Sequence, residues 1–274
     1  MPKHLFDSFF FEIILGSPRL ATKNSKFEFL YIISNTFTDS HLMEPPTFAF
    51  LWDRAQEGNS DAIRSAIDHI LPTYLDPNGI FAKLAKIAII NNHISVLKVL
   101  LTRKKYVRDT RFGSSNITLL EVASMYGYTE SMQFILQSLN SVKNINTGMS
   151  VYLAIYYRHI ESLQLLINAK ADIEKQTFND SLMTRPIHTA VYTNQLDIVT
   201  LLIQSGVGIN TRNKYGETSL MLTCSCDYPD MTELLLNAKA NINKKSRMGK
   251  TPLDIALSRS PQCATLLINA KASV

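Results

Sequence analysis

Three cysteines and six histidines are the side chains of this 274-residue chain best suited to hold a metal or to act as nucleophile and base. Cys224 and Cys226 form a Cys-x-Cys pair, and Cys263 stands apart. No histidine or further cysteine lies near the pair to complete a four-ligand zinc site. The histidines, His4, His41, His69, His93, His159 and His188, are scattered. The chain has no phosphate-cradling Gly-rich loop, no His-Glu-x-x-His and no Gly-x-Ser-x-Gly turn. No catalytic, cofactor-binding or metal residue is therefore assigned, and the chain is read as a non-enzyme. The odd cysteine count argues against a disulfide scaffold and for a reducing, cytoplasmic compartment. The formal net charge of +5 raises the question of nucleic acid. The densest basic clusters, Arg103-Lys104-Lys105 and Lys244-Lys245-Arg247, are far apart and carry no interleaved aromatic residues. A solvated surface, with no nucleic-acid partner, is the better reading.

The elements that position these residues repeat. Gly216-Glu217-Thr218-Ser219-Leu220 recurs 33 residues later as Gly249-Lys250-Thr251-Pro252-Leu253. Leu235-Leu236-Asn237-Ala238-Lys239-Ala240 recurs as Leu267-Ile268-Asn269-Ala270-Lys271-Ala272, in the same Asn-Ala-Lys-Ala frame. Arg185-Pro186-Ile187-His188-Thr189-Ala190 stands one period before Thr218-Ser219-Leu220-Met221-Leu222-Thr223. Such a period implies stacked supersecondary units. Thr251 offers a helix N-cap and Pro252 suits a first turn. Small residues at Ala123, Ala154, Ala190, Thr223 and Ala256 let neighbouring helices approach. A second helix per unit shows an apolar face, as at Leu163, Leu166 and Ile167 or Ile198, Leu201 and Leu202. Gly216 and Gly249 mark turns with unusual backbone angles.

Gly249-Lys250-Thr251-Pro252-Leu253-Asp254-Ile255-Ala256 resembles the ankyrin repeat, with Asp254 where that family usually has His. Arg185 to Ala190 keeps the His, and weaker copies begin near Leu51, Ile87, Thr118 and Tyr152. The resemblance implies an all-α ankyrin-repeat solenoid of about seven helix-turn-helix units with short β-turn fingers over residues 47–274. His188 then braces a turn, and His93 and His159 fall between helices.

The first 46 residues do not repeat. Phe6, Phe9, Phe10, Ile13 and Ile14 recur at helical spacing, and Asp7 and Glu12 interrupt what would otherwise read as a signal peptide. Residues 1–46 are expected to form an N-terminal helical cap covering an end of the stack. No segment approaches the length of a membrane span.

The family's variable contact positions are the finger tips and the two residues closing each first helix. Carried over by register, they put Tyr126, Tyr156, Tyr157 and Tyr192 on three consecutive units, although the chain has eleven tyrosines in all. Tyrosine supplies rigid amphipathic contact area. The rings could instead simply stack on one another. The tips add Tyr215, Arg247 and Met248. A connection from Glu174 to Thr184, about three residues longer than the period allows, carries Phe178 and Met183. The resemblance thus implies a monomeric protein-interaction module binding a partner protein through its concave face. The abundance of Ile, Asn and Lys is similar to ankyrin-repeat effectors, type IV-secreted ones among them, that intracellular bacteria deliver into host cytosol; a host protein is then the partner. An intracellular scaffold or the regulatory subunit of an enzyme encoded elsewhere is the alternative.

Overall fold

A computed structural model describes residues 45–69, 80–103, 117–138, 149–176 and 185–271. Fourteen helices among them form seven pairs. They are α1 (Pro45–Gln56) with α2 (Ser60–His69), α3 (Ile80–Ile90) with α4 (Ile94–Arg103), and α5 (Leu119–Tyr126) with α6 (Thr129–Ser138). Next come α7 (Met149–Tyr156) with α8 (Ile160–Asn168), and α9 (Pro186–Tyr192) with α10 (Leu196–Gln204). The last are α11 (Ser219–Cys226) with α12 (Pro229–Asn237), and α13 (Pro252–Arg259) with α14 (Pro261–Asn269). The described residues contain no strand, as the helical periodicity requires. The apolar run expected to cap the stack, from Phe6 to Ile14, lies outside the described residues.

The chain divides into two compact units, Met1–Val122 and Ala123–Val274. In the first, α1 packs on α2 and α3, and α4 covers α2 and α3. In the second, first helices form one layer (α7 on α9, α9 on α11, α11 on α13), and second helices form another (α6 on α8, α10 on α12, α12 on α14). Ala123, Ala154, Ala190, Thr223 and Ala256 are fully buried, which gives their small size its reason: first helices meet there. Leu163, Leu166, Ile198, Leu202, Leu235 and Leu267 are fully buried along the second helices. The apolar stripe is narrower than its sequence pattern. Leu201 and Ile167 are only half-buried, because the second-helix layer faces solvent on its outer side and these two sit at the edge.

The first helices α5, α9, α11 and α13 open with a cap whose partner changes chemistry from unit to unit. Thr251 Oγ1 accepts the Asp254 N–H at 3.1 Å while Thr251 N–H donates to Asp254 Oδ2 at 2.7 Å. Thr118 and Glu121 make the same pair at 3.3 and 2.7 Å. Thr218 and Met221 make it through the Met221 sulfur at 3.5 Å. His188 Nδ1 accepts the Arg185 N–H at 3.3 Å, and its Nε2–H donates to the Thr211 carbonyl at 3.2 Å. Asp254 therefore replaces the usual His as a capping acceptor.

Helix ends use the left-handed region freely. Gly216 and Gly249 both have φ +75°, as their turn position demands. The close of the second helix puts Lys170, Lys239 and Lys271 at φ +60°, +65° and +64°, where Gly206 stands at +84° with open space around it. A side chain in that conformation costs about 1–2 kcal/mol, and glycine returns part of that in unfolded-state entropy. Lys239→Gly is thus expected to raise stability by about 0.5–1 kcal/mol, read as a higher denaturation midpoint at unchanged slope. A lower midpoint would contradict the assignment.

Candidate partner-binding surface

The tyrosines singled out by register fall on the ends of α5, α7 and α9. Tyr157 is exposed, at 38%, whereas Tyr126, Tyr156 and Tyr192 are half-buried. Ring contacts tie them to tyrosines that the register did not select. Tyr152 stacks on Tyr156 with centroids 5.7 Å apart, Tyr156 meets Tyr157 edge-on at 5.2 Å, and Tyr157 stacks on His159 at 6.3 Å. Tyr126 stacks on Tyr128 at 5.6 Å. Between the selected rings the contact is the edge-on meeting of Tyr156 and Tyr157, which leaves Tyr157 facing solvent. Tyr152 could have been found from its i,i+4 spacing to Tyr156 on one helix face. Tyr128 follows Tyr126 across the Gly127 turn and carried no such signal. Burial, with Tyr128 beside it, pushes the Tyr126 hydroxyl up, so it stays a neutral donor throughout the physiological range.

The histidines between helices are structural. His159 Nε2–H donates to the Met125 carbonyl at 3.1 Å, and His93 Nε2–H to the Gln56 carbonyl at 2.7 Å. Each satisfies a carbonyl left open at the end of the preceding first helix. Both contacts depend on a glycine. A Cβ on Gly127 would sit 2.5 Å from His159 Nδ1, and one on Gly58 would sit 2.7 Å from His93 Nδ1. Arg158, Asn194 and Asp227 hold the corresponding left-handed position, and the next unit then presents Gln195, Tyr228 and Ser260 instead of His.

The cysteines are likewise inward or capped. Cys224 and Cys263 are fully buried, and Cys226 is half-buried. Burial, with Cys263 beside it, pushes the Cys224 thiol up to about 12, which leaves it protonated and unreactive. Thr232 Oγ1 lies 2.8 Å from Thr223 Oγ1 and 3.2 Å from Cys263 Sγ, so a small polar network fills the joint between the last two units. Among the described residues no cluster of His, Cys, Asp and Glu could hold a metal, and no helix is long and apolar enough to cross a membrane.

Fingers complete the surface. In the first, Asn213 N–H donates to the Glu217 carbonyl at 3.0 Å, and Asn213 Oδ1 accepts from the N–H groups of Tyr215 and Glu217 at 2.9 and 3.0 Å. In the second, Ser246 N–H donates to the Lys250 carbonyl at 2.9 Å. Tyr215 and Met248 stand out at 49% and 86% exposure, and Arg247 is exposed beside them. Phe178 and Met183 lie outside the described residues. The ends of their connection are nevertheless joined: Arg185 Nη1 lies 3.3 Å from Glu174 Oε2, and Glu174 Oε1 accepts the Gly208 N–H of the following unit. The same position one unit on repeats the device, Asn210 Oδ1 accepting the Asn241 N–H at 2.8 Å.

Comparison with known proteins agrees with this geometry. Family models described as ankyrin repeats match residues 151–203 and 187–274. A putative ankyrin repeat protein of Acanthamoeba polyphaga mimivirus is 27% identical over 57% of this chain. A probable E3 ubiquitin-protein ligase of Oryza sativa subsp. japonica is 32% identical over 40% of it. The matched part spans 21% of the length of each of these relatives. Among solved structures, the ankyrin repeat domain of Bcl-3 superimposes with a TM-score of 0.71 at 22% identity, covering 80% of this chain and 97% of that one.

Proposed function

The chain is an ankyrin-repeat protein, and from that premise we propose that it binds a partner protein through the concave face of its third to fifth helix pairs. Tyr126, Tyr156, Tyr157 and Tyr192 are the core of that face. Phe178, Met183, Tyr215, Arg247 and Met248 are its finger contacts. The observation that carries the proposal is the aromatic cluster around Tyr157. Rings already held by neighbours lose little conformational entropy on binding, which is what makes tyrosine a strong interface residue. The protein acts by binding alone, as a cytoplasmic monomer.

The partner in this reading is a host protein met after delivery from a bacterium, and the support for it is compositional: the abundance of Ile, Asn and Lys, with Asn-Ala-Lys-Ala closing several units. Scaffolding within its own cell, or regulation of an enzyme encoded elsewhere, would use the same face.

Tyr157→Ala and Tyr192→Ala are each expected to leave the fold nearly intact and to weaken partner binding by about 1–3 kcal/mol. Calorimetry against a partner recovered by affinity capture measures this, with circular dichroism as the folding control. Undiminished binding after alanine replacement at all four tyrosines would move the site elsewhere.

A further inference from the structure

The fingers of the last two helix pairs gather like charge at their tips. Arg212 and Lys214 lie on the first finger, and Lys245, Arg247 and Lys250 on the second. Glu217 is the acidic residue among them, and its Oε2 accepts from Asn213 Nδ2 at 2.9 Å. Asp254, at the foot of the second finger, is held by the Thr251 N–H, with Lys250 and Lys245 adding to the lowering of its pKa. Arg212, Lys245, Arg247 and Lys250 are exposed, and no ion pair among the described residues involves them.

The two tips form one surface. Arg247 N–H donates to the Tyr215 carbonyl at 3.0 Å, and a Cβ on Gly216 would lie 2.9 Å from the Arg247 nitrogen. Lys214 Nζ stands 4.8 Å from the centre of the Tyr215 ring. Like charges carried on two joined fingers repel one another. The backbone bonds that shape each finger do not require them. The same two fingers carry two exposed apolar side chains, Tyr215 and Met248.

We infer that this fingertip surface binds an acidic segment of the partner protein, carboxylates meeting Lys245, Arg247 and Lys250 while an apolar side chain rests on Tyr215 and Met248. The inference deepens the partner-binding reading above by naming the chemistry of one part of the partner. A single exposed aromatic ring gives no run of stacking platforms for unpaired bases, so a peptide fits better than a nucleic acid.

The test uses the full chain and a fluorescein-labelled poly-Glu peptide containing one Phe, with a poly-Lys peptide and a duplex DNA oligonucleotide as counterparts. Anisotropy should show binding of the acidic peptide that weakens steeply between about 0.05 and 0.5 M salt. Reversal of three charges together (K245E, R247E, K250E) should lower its affinity about tenfold or more. Glu233→Gln, on the exposed side of α12, should leave it unchanged. The inference is overturned if the poly-Lys peptide or the DNA binds as well, or if charge reversal has no effect. It is also overturned if Tyr157→Ala costs as much as the reversal, since the peptide then sits on the tyrosine face. Because Tyr157 lies outside the fingers, loss of the peptide result leaves the tyrosine face standing, and loss of the tyrosine face leaves the peptide result standing.

Discussion

Leu235→Ala is expected to destabilise the second unit by about 2–5 kcal/mol, and to do so from one end. Leu235 is fully buried on α12, and α12 packs against α10, α11 and α14. Truncation leaves a cavity that flanking helices cannot close, because each is held by its own neighbours. In a stack, each helix pair is stabilised by the pairs it touches, so a weakened sixth pair loosens its hold on the seventh. Amide exchange should therefore accelerate in α13 and α14 well before it does in α7 to α10. Exchange that rises evenly along the second unit would contradict nearest-neighbour stability. Leu201, matched to the same face by sequence pattern, is half-buried and should cost less.

Gly127→Ala should be nearly as damaging, at about 2–4 kcal/mol, although it adds only a methyl group. The residue sits at φ +72°, where a side chain is strained, and its new Cβ would lie 2.5 to 2.8 Å from three atoms of the His159 ring. The ring must move, and the Met125 carbonyl then loses its donor. A double-mutant cycle separates the two contributions. With His159 already replaced by Ala, Gly127→Ala should cost only the backbone strain, about 1–2 kcal/mol. Additive losses in the double mutant would mean that the close approach contributes nothing.

Such positions show what could and could not be read in the chain. The 33-residue period and the small residues at Ala154, Ala190 and Ala256 fixed the helix pairs, because stacking makes the same demand at every unit. Thr251 and Pro252 located a helix start for the same reason. Non-local contacts were hidden. Nothing near Gly127 announces that it is small for the sake of a histidine 32 positions later. Lys170, Lys239 and Lys271 gave no sign of left-handed geometry, since lysine is not a turn residue; only Gly206 at the matching position hints at it. The width of the second-helix stripe was overread at Leu201 and Ile167, because periodicity records which residues are apolar, not how far the neighbouring layer reaches. The candidate surface was legible in part. Register found Tyr156 and Tyr157, while the support from Tyr152 and His159 emerges only when the α7–α8 turn is folded.

Site-specific photo-crosslinking tests the central claim most directly. A benzophenone amino acid replaces Tyr157 in one variant and Glu233, exposed on the second helix α12, in another. Irradiation with the partner should trap the complex from position 157 and leave position 233 unlinked. Equal trapping at both positions, or trapping at 233 alone, would contradict binding through the tyrosine face.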